Sequence, residues 1–550
     1  MFLLIYLSFE PICFPSLRFY TNKFNQNTLK KPYYFLFIFF FIIAIISCSE
    51  DPISPPPNII YILADDLGYG DLGVYNEEGK IKTPHLNQMA NEGMVFMDAH
   101  TSSSVCTPTR YGILTGRYNW RSPIKKGVLT GTSNGLIPQK RTTVASLLKS
   151  MGYCTAFIGK WHLGWNWALN DSTFINTPIK DSEIFDKIDF SKNITNSPND
   201  IGFEYAYGHC GSLDMPPYVY VENEKITAPV KNITGRQGDY HWWREGPTAD
   251  DFEHERVTPH LFDKAEAYIS EMSEKEKPFF LYLPLPSPHT PILPTEEWRG
   301  KSRLNPYADF VMQIDYRMGR LNRLLNKLNI TENTIVIFTS DNGCSPQANF
   351  NVLKAKGHNP SGIYRGHKAD IFEGGHRVPF IIKWPKKITA GSISHKTICT
   401  VDLLATCADI LEVKLTHQEG EDSFSMLPTF SKKTENNYQR TFTIHHSFYG
   451  SFAIRKGDYK FIFCADSGGW SYPRPNKKEA NNLPKFQLYN LKDDPGELMN
   501  LYGQQPEIEN ELISLFKNAI QNGRTTPGKP QENFKTHFTT EKWEPLAIFN

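Results

Sequence analysis

The chain has 550 residues, a formal net charge of +1, and hydrophobic and charged fractions of 40% and 21%. That length accommodates one large and one smaller domain, and the near-neutral charge gives no case for a nucleic-acid partner. Nine cysteines over this length, with no Cys-x-x-Cys pair, argue against a disulfide scaffold and against a structural zinc site.

Lys30 and Lys31 precede the apolar run from Tyr33 to Ser47, and Cys48 follows. A basic flank, an apolar core and a small residue before a cysteine read as an export signal. The Ser47-Cys48 junction resembles a bacterial lipoprotein cleavage site, which puts lipid on Cys48. An uncleaved anchor is the alternative, and the run is short for one. The expected layout is an export signal over 1–47 and a stiff, proline-rich tether over 48–57. The expected location is the outer membrane or cell surface through a lipid anchor, with the periplasm as alternative.

Asn58 to Ala64 is a continuous apolar run that ends in Asp65-Asp66. Such a run suits a strand buried on both faces of a mostly parallel sheet. Pro278 to Pro284, ending near His289, has the same shape. So do Thr334 to Thr339, ending in Asp341-Asn342, and Val378 to Trp384. Helical stretches lie between them, at Pro84 to Gly93 and Tyr307 to Leu328. The alternation predicts an α/β domain over 58–430, a large mostly parallel or mixed sheet sandwiched by helices. Ligands in such folds sit past the C-terminal ends of strands. Residues 166–260 read as irregular, aromatic loops, where specificity often resides. After about 430, short strands at 452–455, 459–463 and 486–489 and a helix over 507–520 predict a smaller C-terminal α+β domain, 431–550.

Cys106-Thr-Pro-Thr-Arg110, followed by Leu114-Thr-Gly-Arg117, is the most informative stretch. A lone cysteine is usually a small buried hydrophobe. Pro108, however, suits the first turn of a helix, which places Cys106 at a helix N-terminus, where an anion is favoured. Asp65-Asp66 and Asp341-Asn342 are hard oxygen donors after two buried strands. They suit one divalent cation, and calcium tolerates irregular geometry better than magnesium. Lys160 and His162 stand together in Gly159-Lys-Trp-His-Leu-Gly164. His289 lies between prolines in Ser287-Pro-His-Thr-Pro291, and Lys368 precedes Glu373-Gly-Gly-His-Arg-Val-Pro379.

Taken together, these motifs resemble the type I sulfatases of the alkaline phosphatase superfamily, from about residue 57 to 501 and in the family's order. The resemblance implies that a formylglycine-generating or sulfatase-maturating enzyme oxidises Cys106 to formylglycine (3-oxoalanine). It implies one Ca²⁺ held by Asp65, Asp66, Asp341, Asn342 and residue 106. A hydroxyl of the hydrated aldehyde would attack sulfur while Arg110 orients the diol. Lys160, Lys368 and His289 would share the sulfate charge, with Lys368 or His289 protonating the leaving alcohol. His162 would take the proton of the second hydroxyl. Ser212 aligns loosely with a substrate-site residue of some relatives.

The expected activity is therefore hydrolysis of sulfate esters on sulfated polysaccharide oligosaccharides, algal ones among them. Trp242, Trp243 and Arg244 are candidate sugar contacts, with tryptophans filling core under the loop as the competing reading. The alternatives are a phosphate or phosphonate ester hydrolase of the same superfamily and a non-catalytic lipoprotein that binds sulfated glycans.

Overall fold

In the Asn58–Ala64 strand, six of seven residues are buried, because apolar side chains point from both faces into covered layers. It pairs in parallel with Phe279–Pro284 on one side and Thr334–Ser340 on the other. Phe279–Pro284 in turn pairs with Cys154–Lys160, and that strand with Tyr205–His209, again in parallel. These five strands form the centre of a ten-stranded mixed sheet. The expected strand near 378–384 is Phe380–Lys383, and it runs antiparallel to Thr334–Ser340. The computed structural model describes residues 55–170, 184–480 and 482–533. The expected export signal, Cys48 and most of the tether lie outside them.

The two expected helices are Pro84–Asn91 and Pro306–Lys327, and a third, Val257–Ser273, begins inside the stretch read as irregular. Pro306–Lys327 carries a side-chain cap, Asn305 accepting from the Ala308 amide, with Pro306 at its first position. The 166–260 region is less irregular than expected. It adds Tyr205–His209 and two short strands to the sheet, and Val230–Arg236 pairs with Trp243–Ala249 as a separate hairpin.

The C-terminal part forms its own four-stranded antiparallel sheet, Thr443–His446, Phe452–Lys456, Tyr459–Ile462 and Gln487–Asn490. Leu512 and Phe516 of the Pro506–Gln521 helix pack on it in a second core, which also takes in Tyr118 and Trp120 from the larger part. The described residues from 56 onward nevertheless form one compact unit. A buried polar seam accounts for this. Glu373 receives Arg377 at 2.9 Å and Lys460 at 3.1 Å, and Lys460 also meets Glu497 at 2.9 Å. Asp98 pairs with Arg377 and Arg455.

Three buried histidines, His100, His376 and His445, lie together in this seam with nitrogens close enough to share an ion. Their nitrogens are all engaged. His100 meets His376 at 3.1 Å and Asp98 at 2.9 Å, and Lys460 reaches His376 at 3.0 Å. His445 bonds the Thr101 carbonyl and the Thr443 hydroxyl. With Lys460 and Arg455 donating into it, the cluster is a hydrogen-bonded joint rather than a cation site.

Candidate active site

The C-terminal ends of the central strands meet at one place. Asp65 and Asp66 follow the Asn58–Ala64 strand, Lys160 ends Cys154–Lys160, and Asp341-Asn342 follow Thr334–Ser340. Cys106 is the first residue of the Cys106–Thr115 helix, and Pro108 sits in its first turn. Asp65, Asp66, Cys106 and His289 present ligand atoms within 4.8 Å of one another, all buried.

Three cations neutralise the carboxylates. Arg110 holds Asp341 at 2.8 Å and approaches Asp65 at 3.7 Å. Lys160 reaches Asp65 at 2.5 Å, and Lys368 reaches Asp66 at 2.8 Å. Asn342 donates to Asp66 at 2.7 Å, and Asp341 accepts the Asp66 amide at 3.2 Å. Burial would raise the Asp65 carboxyl, but Lys160, backed by His289, Arg110 and Lys368, holds it well below its usual range. Burial would lower Lys368, and Asp66 instead holds it above the usual lysine range. Burial pushes the Cys106 thiol up to about 12 despite Lys160 and Lys368, so an unmodified cysteine here is a protonated thiol, a poor nucleophile.

The two histidines are set differently. His162 Nε2 donates to the Leu129 carbonyl at 2.8 Å, which leaves Nδ1 as the proton acceptor. That Nδ1 is buried with no protein partner. Burial and Lys160 hold the ring well below its usual pKa, in the neutral form. His289 donates from Nδ1 to the Thr290 carbonyl at 2.6 Å and turns Nε2 toward Asp66 at 3.6 Å.

The oxygen set fits a hard cation. Asp65 Oδ1 and Asn342 Oδ1 are buried without a hydrogen-bond partner, a costly state for polar atoms that a cation among oxygen ligands would relieve. The backbone is also constrained. Asp66, His162 and Ala369 all have positive φ, 66°, 55° and 80°, a conformation that non-glycine residues adopt at a cost and that clusters at functional sites. Gly343 packs so closely that a Cβ there would meet the Gly374 carbonyl at 1.9 Å, and its amide donates to Gly375. The Glu373-Gly-Gly element is therefore a support for the Asp341-Asn342 turn.

Ten of the residues singled out in the sequence thus converge: Asp65, Asp66, Cys106, Arg110, Lys160, His162, His289, Asp341, Asn342 and Lys368. Ser212 is buried in a nearby turn, its hydroxyl unpartnered. Trp243 is half-buried and stacks on His254 at 4.2 Å, a packing role. Trp242 lies against the Arg244 guanidinium at 5.3 Å. Two residues escaped the sequence reading. Asp214 receives Arg244 at 2.5 Å and lies 4.0 Å from His289 Nδ1. His209 ends its strand with a buried, unpartnered Nε2, and burial holds it down to about 3. Position at the end of a parallel strand was the available signal for His209, whereas Asp214 sits in a turn with no motif.

This arrangement defines a hydrolase that gathers positive charge around a buried residue 106 at a helix N-terminus. The sulfatase family profile matches residues 57–413, and the profile of the N-sulphoglucosamine sulphohydrolase C-terminal region matches 367–525. The chain belongs to the sulfatase family, as a type I sulfatase of the alkaline phosphatase superfamily and a sulfuric ester hydrolase. It is similar to the N-acetylgalactosamine-6-O-sulfatase of Bacteroides thetaiotaomicron, 32% identical over 85% of this chain and 93% of that protein. Human arylsulfatase A is 30% identical over 84% of this chain and 87% of that protein. A solved sulfatase from a study of glycosaminoglycan metabolism by B. thetaiotaomicron matches with a TM-score of 0.72 and 32% identity, over 85% of this chain and 99% of that one. A phosphonate monoester hydrolase of Agrobacterium radiobacter shares the fold alone, at 18% identity and a TM-score of 0.54.

Proposed function

We propose that this sulfatase removes 6-O-sulfate from N-acetylgalactosamine units of sulfated glycans. The buried convergence of Cys106, Lys160, His162, His289 and Lys368 carries the chemistry. The similarity to N-acetylgalactosamine-6-sulfatases over most of both chains supports the substrate. The phosphonate and phosphate alternative has only a likeness of fold behind it. A glycan-binding protein without turnover would have no need of an unpartnered imidazole nitrogen and a buried ammonium beside residue 106.

Formylglycine at 106 would supply, as its hydrate, a second hydroxyl that serine lacks. Calcium would be held by Asp65, Asp66, Asp341 and Asn342 and would supply positive charge facing the sulfate oxygens. The chain's own residues do the rest. Arg110 fixes Asp341 and the Lys160 carbonyl and would orient the diol at residue 106. Lys160 and Lys368 bring ammonium groups against the anionic ester, where a dry site strengthens them. Lys368, kept protonated by Asp66, or His289 would give a proton to the departing alcohol. His162 Nδ1, buried without a protein partner, would accept one from residue 106.

The test is a desulfation panel of 6-sulfated and 4-sulfated N-acetylgalactosamine, N-sulfated glucosamine and sulfated algal galactans, read by release of sulfate. Preference for the first supports the assignment, and preference for a galactan refutes it. Export and lipidation at Cys48 are proposed on the sequence alone. Release of a Cys48→Ala variant from the membrane fraction is the expected result, and retention would favour an uncleaved anchor.

A further inference from the structure

We propose that a pocket walled by the C-terminal part, beside the Lys368 loop, binds an acidic sugar next to the sulfated one. The inference rests on the glycan reading above and extends it from the ester to its neighbour.

The pocket measures about 390 Å³ and is lined by Gln347, Tyr449, Trp470, Arg474 and Lys477, with prolines and Gly469 between them. Its place follows from backbone bonds. Lys368 donates its amide to Cys344, two residues before Pro346, and Ala369 donates to Ser104, two residues before Cys106. On the other side, the Phe448 amide donates to the Ala369 carbonyl. The amides of Trp470 and Ser471 donate to the Asp370 carboxylate at 2.8 and 2.9 Å. A Cβ on Gly469 would meet the Ala369 carbonyl at 2.3 Å. The pocket wall is therefore built directly on the loop that carries Lys368.

Its chemistry is that of an acidic-sugar site. Tyr449 is 48% exposed and Trp470 half-buried, giving two ring faces of the kind that stack on sugars. Arg474 and Lys477 are exposed, and neither forms an ion pair among the described residues. The Arg474 Nε donates to the Trp470 carbonyl at 2.9 Å, which ties the guanidinium to the pocket wall while leaving its other donors available. No carboxylate is among the lining residues. Two unpaired cations and two aromatic faces, with no acid to compete, suit a uronate or a second sulfate on a pyranose ring.

The experiment compares three substrates: 6-sulfated N-acetylgalactosamine alone, the same sugar linked to glucuronic acid, and that disaccharide with its carboxylate reduced to an alcohol. Arg474→Ala/Lys477→Ala should lose roughly tenfold in kcat/KM on the acidic disaccharide, through KM, as charge-assisted contacts are lost. It should change less than about twofold on the other two. Trp470→Ala should weaken both disaccharides and spare the monosaccharide. Equal losses on all three, or no loss on the acidic disaccharide while the wild type turns it over, would overturn the pocket assignment alone. A wild type that desulfates none of the three overturns the glycan reading and the pocket together.

Discussion

Arg244 donates to one oxygen of Asp214 at 2.5 Å, and the other oxygen of that carboxylate stands 4.0 Å from Nδ1 of His289. The Val230–Arg236/Trp243–Ala249 hairpin is thereby tied to the sulfate site through one buried acid. Asp214→Asn should lower kcat on a small aryl sulfate and on an oligosaccharide alike, by roughly tenfold, because His289 loses the charge that faces it. A loss confined to the oligosaccharide would make Asp214 a sugar contact instead.

The neighbouring tryptophans should separate. Trp243 stacks on His254, so Trp243→Ala should cost about 3 kcal/mol of stability, read as a drop in Tm. Trp242→Ala should leave Tm near the wild-type value and reduce oligosaccharide turnover several-fold more than aryl sulfate turnover. The opposite pairing would assign the glycan contact to Trp243.

Cys106→Ser should abolish multiple turnover with Tm unchanged, since the residue is buried and the swap is nearly isosteric. Mass spectrometry of the 106 peptide from active enzyme should show the aldehyde in place of the thiol. A serine variant with normal turnover contradicts the need for two hydroxyls.

Asp341→Ala should lose bound calcium and activity together, and should also destabilise by about 3 kcal/mol because it leaves the buried Arg110 with only the longer 3.7 Å approach to Asp65. Metal analysis and denaturant unfolding read the two effects separately. Full activity after exhaustive chelation would refute the calcium assignment.

Acid should loosen the seam. Burial lowers the pKa of His100, and of His376 and His445 further, and holds His446 down to about 4. The unfolded rings take up protons below about pH 6.5, where the folded rings do not. Each ring should therefore cost stability as pH drops below about 6.5, by about 1.4 kcal/mol per pH unit, offset in part by Glu497 of the same seam, whose carboxyl burial pushes up to about 7. Thermal unfolding at pH 7.5, 6.0 and 5.0 measures the slope, and His445→Gln, in the seam, should flatten it. A Tm that rises on acidification would contradict the neutral-ring picture.

Much of the site was readable because its chemistry sits in short contiguous strings. Asp65-Asp66, Cys106 to Arg110 and Lys160 to His162 each follow or precede a regular element whose pattern is plain. Asp214 was not readable, since it acts through side chains distant in sequence. The Arg474 and Lys477 pocket was not either, because it exists only where the C-terminal sheet folds back on Lys368. The seam histidines lie on separate segments, and no periodicity announces that His100, His376 and His445 meet. The hairpin inside 166–260 was missed because Val230–Arg236 is mostly exposed and lacks the alternation that marks a half-buried strand.

The Lys368 loop leans on two parts of the chain at once: Ala369 donates to Ser104, while Ile371 donates to Ser467 and Asp370 receives Trp470 and Ser471. A polypeptide ending near 430 would still contain Cys106 and its acidic neighbours. Its lysine loop would hang from one side only, with Glu373 stripped of Lys460 and the Glu497 carboxylate. Truncation at the apparent boundary should thus yield an inert half, and only co-expression of the remainder should return its turnover.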